Sequence, residues 1–311
     1  MGAAAPAAGP AAGAGAVLRW AVCTAAWAPE GAAAGAEWAF LLGLLPEGER
    51  RAVMRFVRFE DQQRALVSRL LQRACASRAA GLAWGAVDLR RTKGGKPFLA
   101  TAHGRPGLPN FNFNVSHEGH YVVLASEPVC IVGVDVAAPD QVRSKGRALS
   151  DAELQATFRR QLSDREWEAV LAGEGGVQDA FRRHWSCKEA FVKARGDGLG
   201  FELGRAEFEF HGGPDAFEAS VAVAGRLLPK WTFFVQRLGE HWVTVARAPP
   251  EDVVDAHGVF KGTLGRTEFD AAEWSRELRA PSPPFALMEL RDLVPEDRRD
   301  EYCARFQDDP F

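Results

Sequence analysis

The sequence lacks the features that mark several large classes of protein. Its five cysteines are scattered and include no CxxC pair, so we expect neither a disulfide framework nor a zinc site, and a reducing cytosol fits best. The formal net charge of −3 gives no global attraction for a phosphate backbone. No apolar run approaches the ~20 residues that a membrane-spanning helix needs. These absences predict a cytosolic protein that binds neither nucleic acid nor membrane.

The composition is that of a globular protein with unusual ends. Hydrophobic residues make up 47% and charged residues 25% of the 311 residues, enough for one large domain or two modest ones. Residues 1–16 are almost entirely Ala, Gly and Pro and lack the basic start and leucine-rich core of a secretory signal, so they predict a disordered tail. Residues 251–311 are rich in Pro and charge, and predict a polar, partly flexible extension.

Hydrophobic periodicity predicts a mixture of strands and helices. Alternating or compact apolar runs favour strands at 17–27, 111–115, 121–125, 130–136, 206–210, 231–235 and 242–246. Apolar residues at helical spacing favour helices within 46–80, 164–171 and 179–194. One internal echo, between His120–Ala125 and His241–Ala246, predicts two similar α/β halves at 17–129 and 130–250, with a ligand cleft between them. A match this short could also arise by chance.

The helix predicted at 179–194 carries the clearest chemical signal. Glu189 and Lys193 are four residues apart and share one helix face. A carboxylate and an ammonium arranged in this way can hold a metal ion and an anionic ligand together. The alternative is a solvated ion pair worth a few tenths of a kcal/mol, which is the commoner meaning of such a pair alone.

A second signal is Asp135, which lies within the apolar run Gly133–Val136. An unpaired carboxylate is costly to bury, so Asp135 either faces water or has a cation partner. A magnesium ion bound to a diphosphate needs only one or two protein carboxylates, because phosphate oxygens and water complete its octahedron. Asp135 together with Glu189 would suffice.

A third signal is a set of groups suited to phosphate. Arg91 and Lys96 flank two glycines, so side chains and backbone N–H groups can converge on one anion. Ser116 and His117 end a predicted strand and begin a turn. Taken separately, a basic loop is usually a solvated turn and a lone histidine is usually structural.

In this order the motifs resemble the surfactin-synthetase-activator type of 4′-phosphopantetheinyl transferase. The motifs that carry the resemblance are Gly95-Lys96-Pro97, Phe113 to His117, Gly133 to Val136, and Trp185 to Leu199. They span about residues 91–200, and the helix motif with its trailing Gly-x-Gly-Leu is the most specific. The flanks at 17–27 and 199–203 resemble the animal cytosolic members more narrowly.

The resemblance implies an α+β fold, a pseudo-twofold monomer of two similar α/β halves, each a small antiparallel sheet packed on a long helix, with the active site in the cleft. It implies transfer of the 4′-phosphopantetheine moiety of coenzyme A to a serine of apo acyl-carrier or peptidyl-carrier proteins, releasing adenosine 3′,5′-bisphosphate. Mg²⁺ is the implied cofactor. The implied partners are coenzyme A and apo carrier domains of the fatty-acid synthase and aminoadipate-semialdehyde dehydrogenase types.

Specific roles follow from the resemblance, residue by residue. Asp135 matches the metal aspartate, Glu189 a metal ligand and candidate base, and Lys193 the lysine on the diphosphate, so these three are the predicted catalytic residues. The predicted coenzyme A-binding residues are Arg51, Arg91, Thr92, Lys93, Gly94, Gly95, Lys96, Asn114, Val115, Ser116, His117, Glu189 and Lys193. The spacing around Arg51 differs by one residue from the family pattern, so Arg50 or Arg55 could meet the 3′-phosphate instead.

The sequence departs from many bacterial relatives at Ala137, where they carry a second acid. The resemblance therefore assigns no third protein carboxylate, and a water could fill that coordination position.

The arginines between Arg143 and Arg160 are candidates for contact with an acidic carrier, and a solvated linker is the alternative. Three rival functions are less favoured. A coenzyme-binding module without catalysis need not keep Asp135, Glu189 and Lys193, a coenzyme A diphosphatase would favour several acids on one helix, and a structural interaction protein would not explain four motifs in order. Magnesium and manganese stay open, since both favour oxygen ligands.

Overall fold

A computed structural model describes residues 14–139, 143–144, 147–173, 175–213 and 215–306. Its helices are α1 (Ala36–Gly43), α2 (Glu47–Met54), α3 (Phe59–Ala80), α4 (Asp151–Thr157), α5 (Asp164–Leu171), α6 (Val177–Arg195), α7 (Ala271–Arg279), α8 (Leu290–Leu293) and α9 (Glu296–Phe306). Its strands are β1 (Arg19–Cys23), β2 (Leu89–Arg91), β3 (Pro97–Leu99), β4 (Asn112–Glu118), β5 (Tyr121–Glu127), β6 (Ile131–Ala137), β7 (Arg143–Ser144), β8 (Arg147–Ala148), β9 (Ala206–Gly212), β10 (Ala216–Val223), β11 (Arg226–Leu227), β12 (Thr232–Leu238), β13 (His241–Ala248) and β14 (Ala286–Leu287).

Two main sheets, each with a long helix packed on it, form the molecule. The first sheet has four strands in the order β14-β1-β5-β4, and α3 packs on it. The second sheet has six strands, with β11-β10-β12-β13-β6 as its path and β9 paired to β10, and α6 packs on it. All pairs are antiparallel except β1 with β14. The predicted mixed α+β fold with small antiparallel sheets is therefore confirmed.

The alternation of side chains along β6 explains why Asp135 faces α6. Successive side chains of a strand point to opposite faces. Val132, Val134 and Val136 pack into an apolar cluster with residues of β1, β5 and β13, between the two sheets. The alternate residues, including Asp135, face α6. A Cβ at Gly133 would lie 2.1 Å from the carbonyl oxygen of Ala190, so glycine at this position lets α6 approach β6 closely.

The two turns of the internal echo lie side by side. The backbone N–H of His120, in the β4–β5 turn, donates to Nε2 of His241 at 3.4 Å, and the rings of Tyr121 and His241 pack edge to face at 4.9 Å. The echoed segments are thus the second strands of two hairpins, β4–β5 and β12–β13. The pseudo-twofold relation of the complete halves stays a prediction.

The C-terminal residues return to the first sheet. β14 pairs in parallel with β1, where Trp20 lies opposite Ala286. Leu293 and Tyr302, from the two helices that follow, are buried in the apolar core around α3. The predicted tail over 1–16 lies outside the described residues except for a 3-10 turn at Ala14–Ala16. Of the predicted carrier-contact arginines, Arg147 and Arg159 are exposed and pair with Glu153 and Asp164, and their contact with a carrier stays a prediction. The four predicted segment boundaries stay predictions.

No helix in the described ranges is long and apolar enough to cross a membrane.

Candidate active site

A cleft of about 380 Å³ lies between the β2–β3 hairpin, β4 and the C-terminal part of α6. Its walls are formed by Arg91, Gly94, Gly95, Lys96, Pro97, Asn114, Val115, Glu189, Val192, Lys193, Gly196, Gly198, Phe201 and Leu203. One side of the cleft is therefore glycine-rich backbone with a guanidinium, and another side carries the acid and the ammonium of α6. Three of the four resemblance motifs supply residues to this wall.

The hairpin is held against the end of α6 by a close backbone contact. A Cβ at Gly94 would lie 2.1 Å from the carbonyl oxygen of Gly196, so a side chain at this position would push the hairpin away. Within the turn, the backbone N–H of Thr92 donates to the Lys96 carbonyl at 2.9 Å, and Arg91 Nη1 donates to the Gly95 carbonyl at 2.9 Å. The glycines thus fix one wall of the cleft.

Asp135, Ser116 and Lys193 form a hydrogen-bonded cluster beside the cleft. Lys193 Nζ lies 2.5 Å from Asp135 Oδ1 and 2.8 Å from Ser116 Oγ, and Ser116 Oγ donates to the same Asp135 oxygen at 3.0 Å. Asp135 is 5% exposed. Its other oxygen, Oδ2, is buried and has no hydrogen-bond partner in the described part of the chain. Asp135 therefore presents one free acceptor that a cation could use.

Burial changes the proton affinity of both predicted metal acids. Desolvation raises the pKa of Asp135, and the charge and hydrogen bond of Lys193 oppose that rise. Desolvation also raises the pKa of Glu189, and the neighbouring charge of Asp135 raises it further. The charge of Asp135 thus disfavours the charged form of Glu189, and a nearby cation would stabilise the charged form of both carboxyls. The Glu189 carboxylate makes no hydrogen bond or ion pair with residues that the structure describes.

Alternate residues of β4 reach across to the backbone of β6. Asn112 Oδ1 accepts from Val132 N at 2.9 Å, and Asn114 Oδ1 accepts from Val134 N at 3.0 Å. Further along, Glu118 Oε2 accepts from Ala138 N at 3.0 Å. Ser116, between these rungs, bonds the Asp135 side chain instead. The edges of the two sheets are thus joined by side chains, and this ladder fixes the strand that carries Asp135.

Glu118, which the sequence interpretation missed, lies close enough to Asp135 and Glu189 for their charges to affect it. Burial raises its pKa to about 7, the hydrogen bond from Ala138 N opposes the rise, and the charges of Asp135 and Glu189 add to it. It lies two residues after Ser116, on the same face of β4, which is the signal that could have identified it. Ala137, the position of the absent second acid, is fully buried in the apolar core of the second half.

The structure brings many, but not all, of the predicted site residues together. Asn114, Val115, Glu189, Lys193, Arg91, Gly94, Gly95 and Lys96 line the cleft, and Ser116 and Asp135 bond Lys193 at its side. Arg51 is not among the residues of this wall; its side chain is 69% exposed and pairs with Glu47 at 2.8 Å. Lys93 is exposed and Thr92 is buried, and neither forms part of the wall. Desolvation and the charges of Lys193 and Arg64 lower the pKa of His117 to about 4.

The ammonium of Lys96 has an unexpected position. Although its side chain borders the cleft, Lys96 is 4% exposed, and Nζ donates to the carbonyls of Val132 at 2.6 Å and Lys193 at 3.1 Å. Burial lowers its pKa to about 7. Its charge is directed at the protein backbone of β6 and α6, not at the cleft.

The residues present fit a cation held partly by its ligand. Across the described ranges, no group of three or more His, Cys, Asp or Glu side chains is arranged to hold a metal ion. Two carboxylates are enough for a magnesium ion that also binds a diphosphate. The free, buried Oδ2 of Asp135 and the unpaired carboxylate of Glu189 supply the hard oxygen donors such an ion prefers.

Two family models match most of the chain. Residues 25–129 match the model described as 4′-phosphopantetheinyl transferase, N-terminal. Residues 131–246 match the 4′-phosphopantetheinyl transferase superfamily. Together they include the cleft and every predicted site residue.

Curated relatives point to the same family. The human L-aminoadipate-semialdehyde dehydrogenase-phosphopantetheinyl transferase is 34% identical over 75% of this chain and 75% of its own length. A phosphopantetheinyl transferase from a Thraustochytrium species is 37% identical over 74% of this chain and 78% of its own. A solved holo-[acyl-carrier-protein] synthase from Thermotoga maritima is 19% identical, covers 38% of this chain and 63% of that chain, and has a TM-score of 0.26, which is too low to support an argument. On the family models and the relatives, this chain belongs to the 4′-phosphopantetheinyl transferase superfamily and is an enzyme that transfers phosphopantetheine to carrier proteins.

Proposed function

We propose that the enzyme carries out this transfer in the cleft described above, with coenzyme A as the donor and one Mg²⁺ ion held by Asp135 and Glu189. The observation that carries the proposal is the free, buried Oδ2 of Asp135, whose other oxygen is already paired with Lys193. A buried carboxylate oxygen without a partner is costly. A divalent cation would satisfy it, and a diphosphate would complete the coordination of that cation.

When bound, Mg²⁺ would neutralise diphosphate charge and so favour attack by the hydroxyl of the carrier serine. The chain's own residues do the remaining work. Lys193, whose side chain is 29% exposed, is positioned to pair with a phosphate oxygen and stabilise charge on the departing adenosine 3′,5′-bisphosphate. Arg91 and the backbone N–H of Gly94 can take the remaining phosphate charge.

Glu189 is the proposed base for the serine proton. A carboxylate is a general base for a hydroxyl proton, and in the absence of the cation burial and the charge of Asp135 raise the pKa of this one. It also lines the cleft directly, where the reacting hydroxyl must arrive. Phosphoryl transfer needs mainly positioning and charge neutralisation, and one base, one cation site and one lysine supply these.

The finer identity of the partners belongs to the same proposal. Several relatives are named for L-aminoadipate-semialdehyde dehydrogenase, and we propose that carrier domains of that type and of the fatty-acid synthase type are substrates. We also propose that the enzyme acts as a monomer in the cytosol, since all five cysteines are free and one chain supplies the whole cleft.

One assay tests the reaction against its rivals. The protein is incubated with coenzyme A, Mg²⁺ and two unrelated apo-carriers, and each carrier is weighed by intact-mass spectrometry. A phosphopantetheine mass gain that requires Mg²⁺ supports the proposal. Free phosphopantetheine without carrier modification would indicate a diphosphatase, and coenzyme binding without any product would indicate a binding module. Either of these two results would contradict the proposal.

A further inference from the structure

Among the residues that the structure describes, the outer edge of β6, the strand of Asp135, has no strand partner. One edge pairs with β13, where Asp135 lies opposite Thr244. On the other edge, the backbone is bonded by side chains of β4 and by Lys96. Asn112 both accepts from Val132 N at 2.9 Å and donates through Nδ2 to the Cys130 carbonyl at 2.7 Å, as a neighbouring strand would.

Lys96 links this edge to the helix of the active site. Its Nζ donates to the Val132 carbonyl of β6 and to the Lys193 carbonyl of α6. It thereby joins the strand that carries Asp135 to the helix that carries Glu189 and Lys193. Nζ also lies 5.6 Å from the ring centroid of Phe260, which closes the space behind it.

A role for this ammonium in phosphate binding does not agree with its surroundings. A phosphate-binding lysine needs an ammonium that can reach the ligand, whereas the Lys96 side chain is almost completely buried and its Nζ already has two acceptors. Burial also lowers its pKa to about 7, so its charge is weakened at neutral pH. Lys93, in the same hairpin, is exposed and is free to attract an anion.

We propose that Lys96 is a positioning residue, which clamps β6 to α6 and so sets the separation of Asp135 and Glu189 that the cation requires. The inference rests on the metal site of the proposed function. It replaces the predicted coenzyme contact of Lys96 with a contact inside the protein. Asn112, which is fully buried, holds the same strand from β4 and acts in the same sense.

The test compares Lys96→Met with Lys93→Met, which each replace one lysine of the same hairpin. Methionine nearly preserves the volume of lysine but leaves the two carbonyls without their donor. Lys96→Met should raise the Mg²⁺ concentration for half-maximal transfer about 10-fold, the lower end of effects seen when groups that orient metal ligands are lost. Its KM for coenzyme A at saturating Mg²⁺ should stay within about twofold of wild type. Lys93→Met should show the opposite pattern.

A second measurement avoids the transfer reaction. Mn²⁺ binding to the protein–coenzyme A complex, without carrier, is followed by loss of the free-Mn²⁺ EPR signal. Lys96→Met should weaken Mn²⁺ binding and Lys93→Met should not. If Lys96→Met fails to fold, Asn112→Ser tests the same strand and should weaken Mn²⁺ binding in the same direction.

The outcomes separate this inference from the proposed function. If Asp135→Asn binds Mn²⁺ as wild type does, the proposed metal site is wrong. If Asp135→Asn loses Mn²⁺ while Lys96→Met and Asn112→Ser retain it, only the positioning role is overturned. An increased KM for coenzyme A with unchanged Mg²⁺ dependence in Lys96→Met would likewise overturn it, as would equal Mg²⁺ shifts in the two lysine variants.

Discussion

Helix α6 carries two lysine–carboxylate pairs that differ in how completely they are satisfied. Lys188 lies 2.7 Å from Glu166, and their side chains are 0% and 1% exposed. Lys188 also donates to the carbonyls of Leu203 and Ala206. Glu166 accepts from the backbone N–H of Ser163 at 2.8 Å and of Phe208 at 3.0 Å. This pair is closed: both of its charges are fully coordinated by the protein.

The pair of Lys193 and Asp135 is open. The ammonium is partly exposed toward the cleft, and one oxygen of Asp135 has no partner in the part of the chain that the structure describes. The difference teaches how to separate structural from functional charges on one helix. A buried pair with all its hydrogen bonds made holds the fold together, whereas a buried pair with a free oxygen next to a cleft is prepared for a ligand.

The largest expected effect comes from removing the carboxylate of the open pair, Lys193 and Asp135. Asp135→Ala should reduce transfer about 10³-fold or more, the upper end of losses when one preorganised charge-stabilising group is removed. Intact-mass analysis of an apo-carrier measures the rate. Thermal unfolding should change little, because the replaced carboxylate is incompletely bonded. Wild-type turnover of Asp135→Ala in Mg²⁺ would show that this pair is not the catalytic one.

Breaking the closed pair should affect folding instead. Lys188→Met leaves the Glu166 carboxylate buried and unpaired, and should lower the free energy of unfolding by about 3–5 kcal/mol. Urea unfolding monitored by tryptophan fluorescence measures the change. The folded fraction should keep the wild-type Mg²⁺ dependence of transfer. A variant as stable as wild type would mean that the closed pair contributes little.

Lys96 donates to two backbone carbonyls and has no carboxylate partner among the described residues. It extends the comparison to the pH dependence of stability. The pKa of Lys96 is lowered by burial to about 7 in the folded protein, so the unfolded chain binds more protons between about pH 7 and pH 10.5. Stability due to this residue should therefore rise with pH in that window, by up to about 1.4 kcal/mol per pH unit. The measurement is the difference in unfolding free energy between wild type and Lys96→Met. A difference that is independent of pH, or that shrinks as pH rises, would contradict the expected sign.

The smallest effect is expected at a pair that lies wholly on the surface. Arg51 and Glu47 are both about 70% exposed, at 69% and 70%. If Arg51 meets the 3′-phosphate, Arg51→Ala should raise the KM for coenzyme A about fivefold, the equivalent of about 1 kcal/mol for an exposed ion contact. The KM for dephospho-coenzyme A is the control and should not change. An equal rise with both donors would direct attention to Arg50 or Arg55.

Sequence periodicity located the elements that carry the site. The strand of Asp135, predicted at 130–136, is Ile131–Ala137, and the helix of Glu189, predicted at 179–194, is Val177–Arg195. Both segments have strong local patterns, an apolar run and a helical spacing, which need no knowledge of distant residues. The short helices at Ala36–Gly43 and Asp151–Thr157, the strand at Ala216–Val223 and the C-terminal elements were not predicted. Their patterns are brief, and their packing partners are remote in sequence.

The sequence predicted which residues form the site, but not which contacts their side chains make. Glu189 and Lys193 could be named from their i, i+4 spacing and Asp135 from its place in an apolar strand, and the family resemblance assigned their roles. The contact of Lys96 with two backbone carbonyls depends on how the hairpin packs on α6, which is a tertiary property. Glu118 was missed because a glutamate at the end of a strand is usually solvated, and only the neighbouring carboxylates give it significance.

The parallel pairing of β14 with β1 has a consequence for biosynthesis. Strand β1 cannot gain its second neighbour until residues 286–287 have left the ribosome, long after its first neighbour β5 has been made. Until then one border of the amino-terminal sheet remains open, and the hollow later filled by Leu293 and Tyr302 stays accessible to water or to a chaperone. The sheet around β1 is therefore completed late, and a nascent chain that stalls before β14 would be a substrate for quality control.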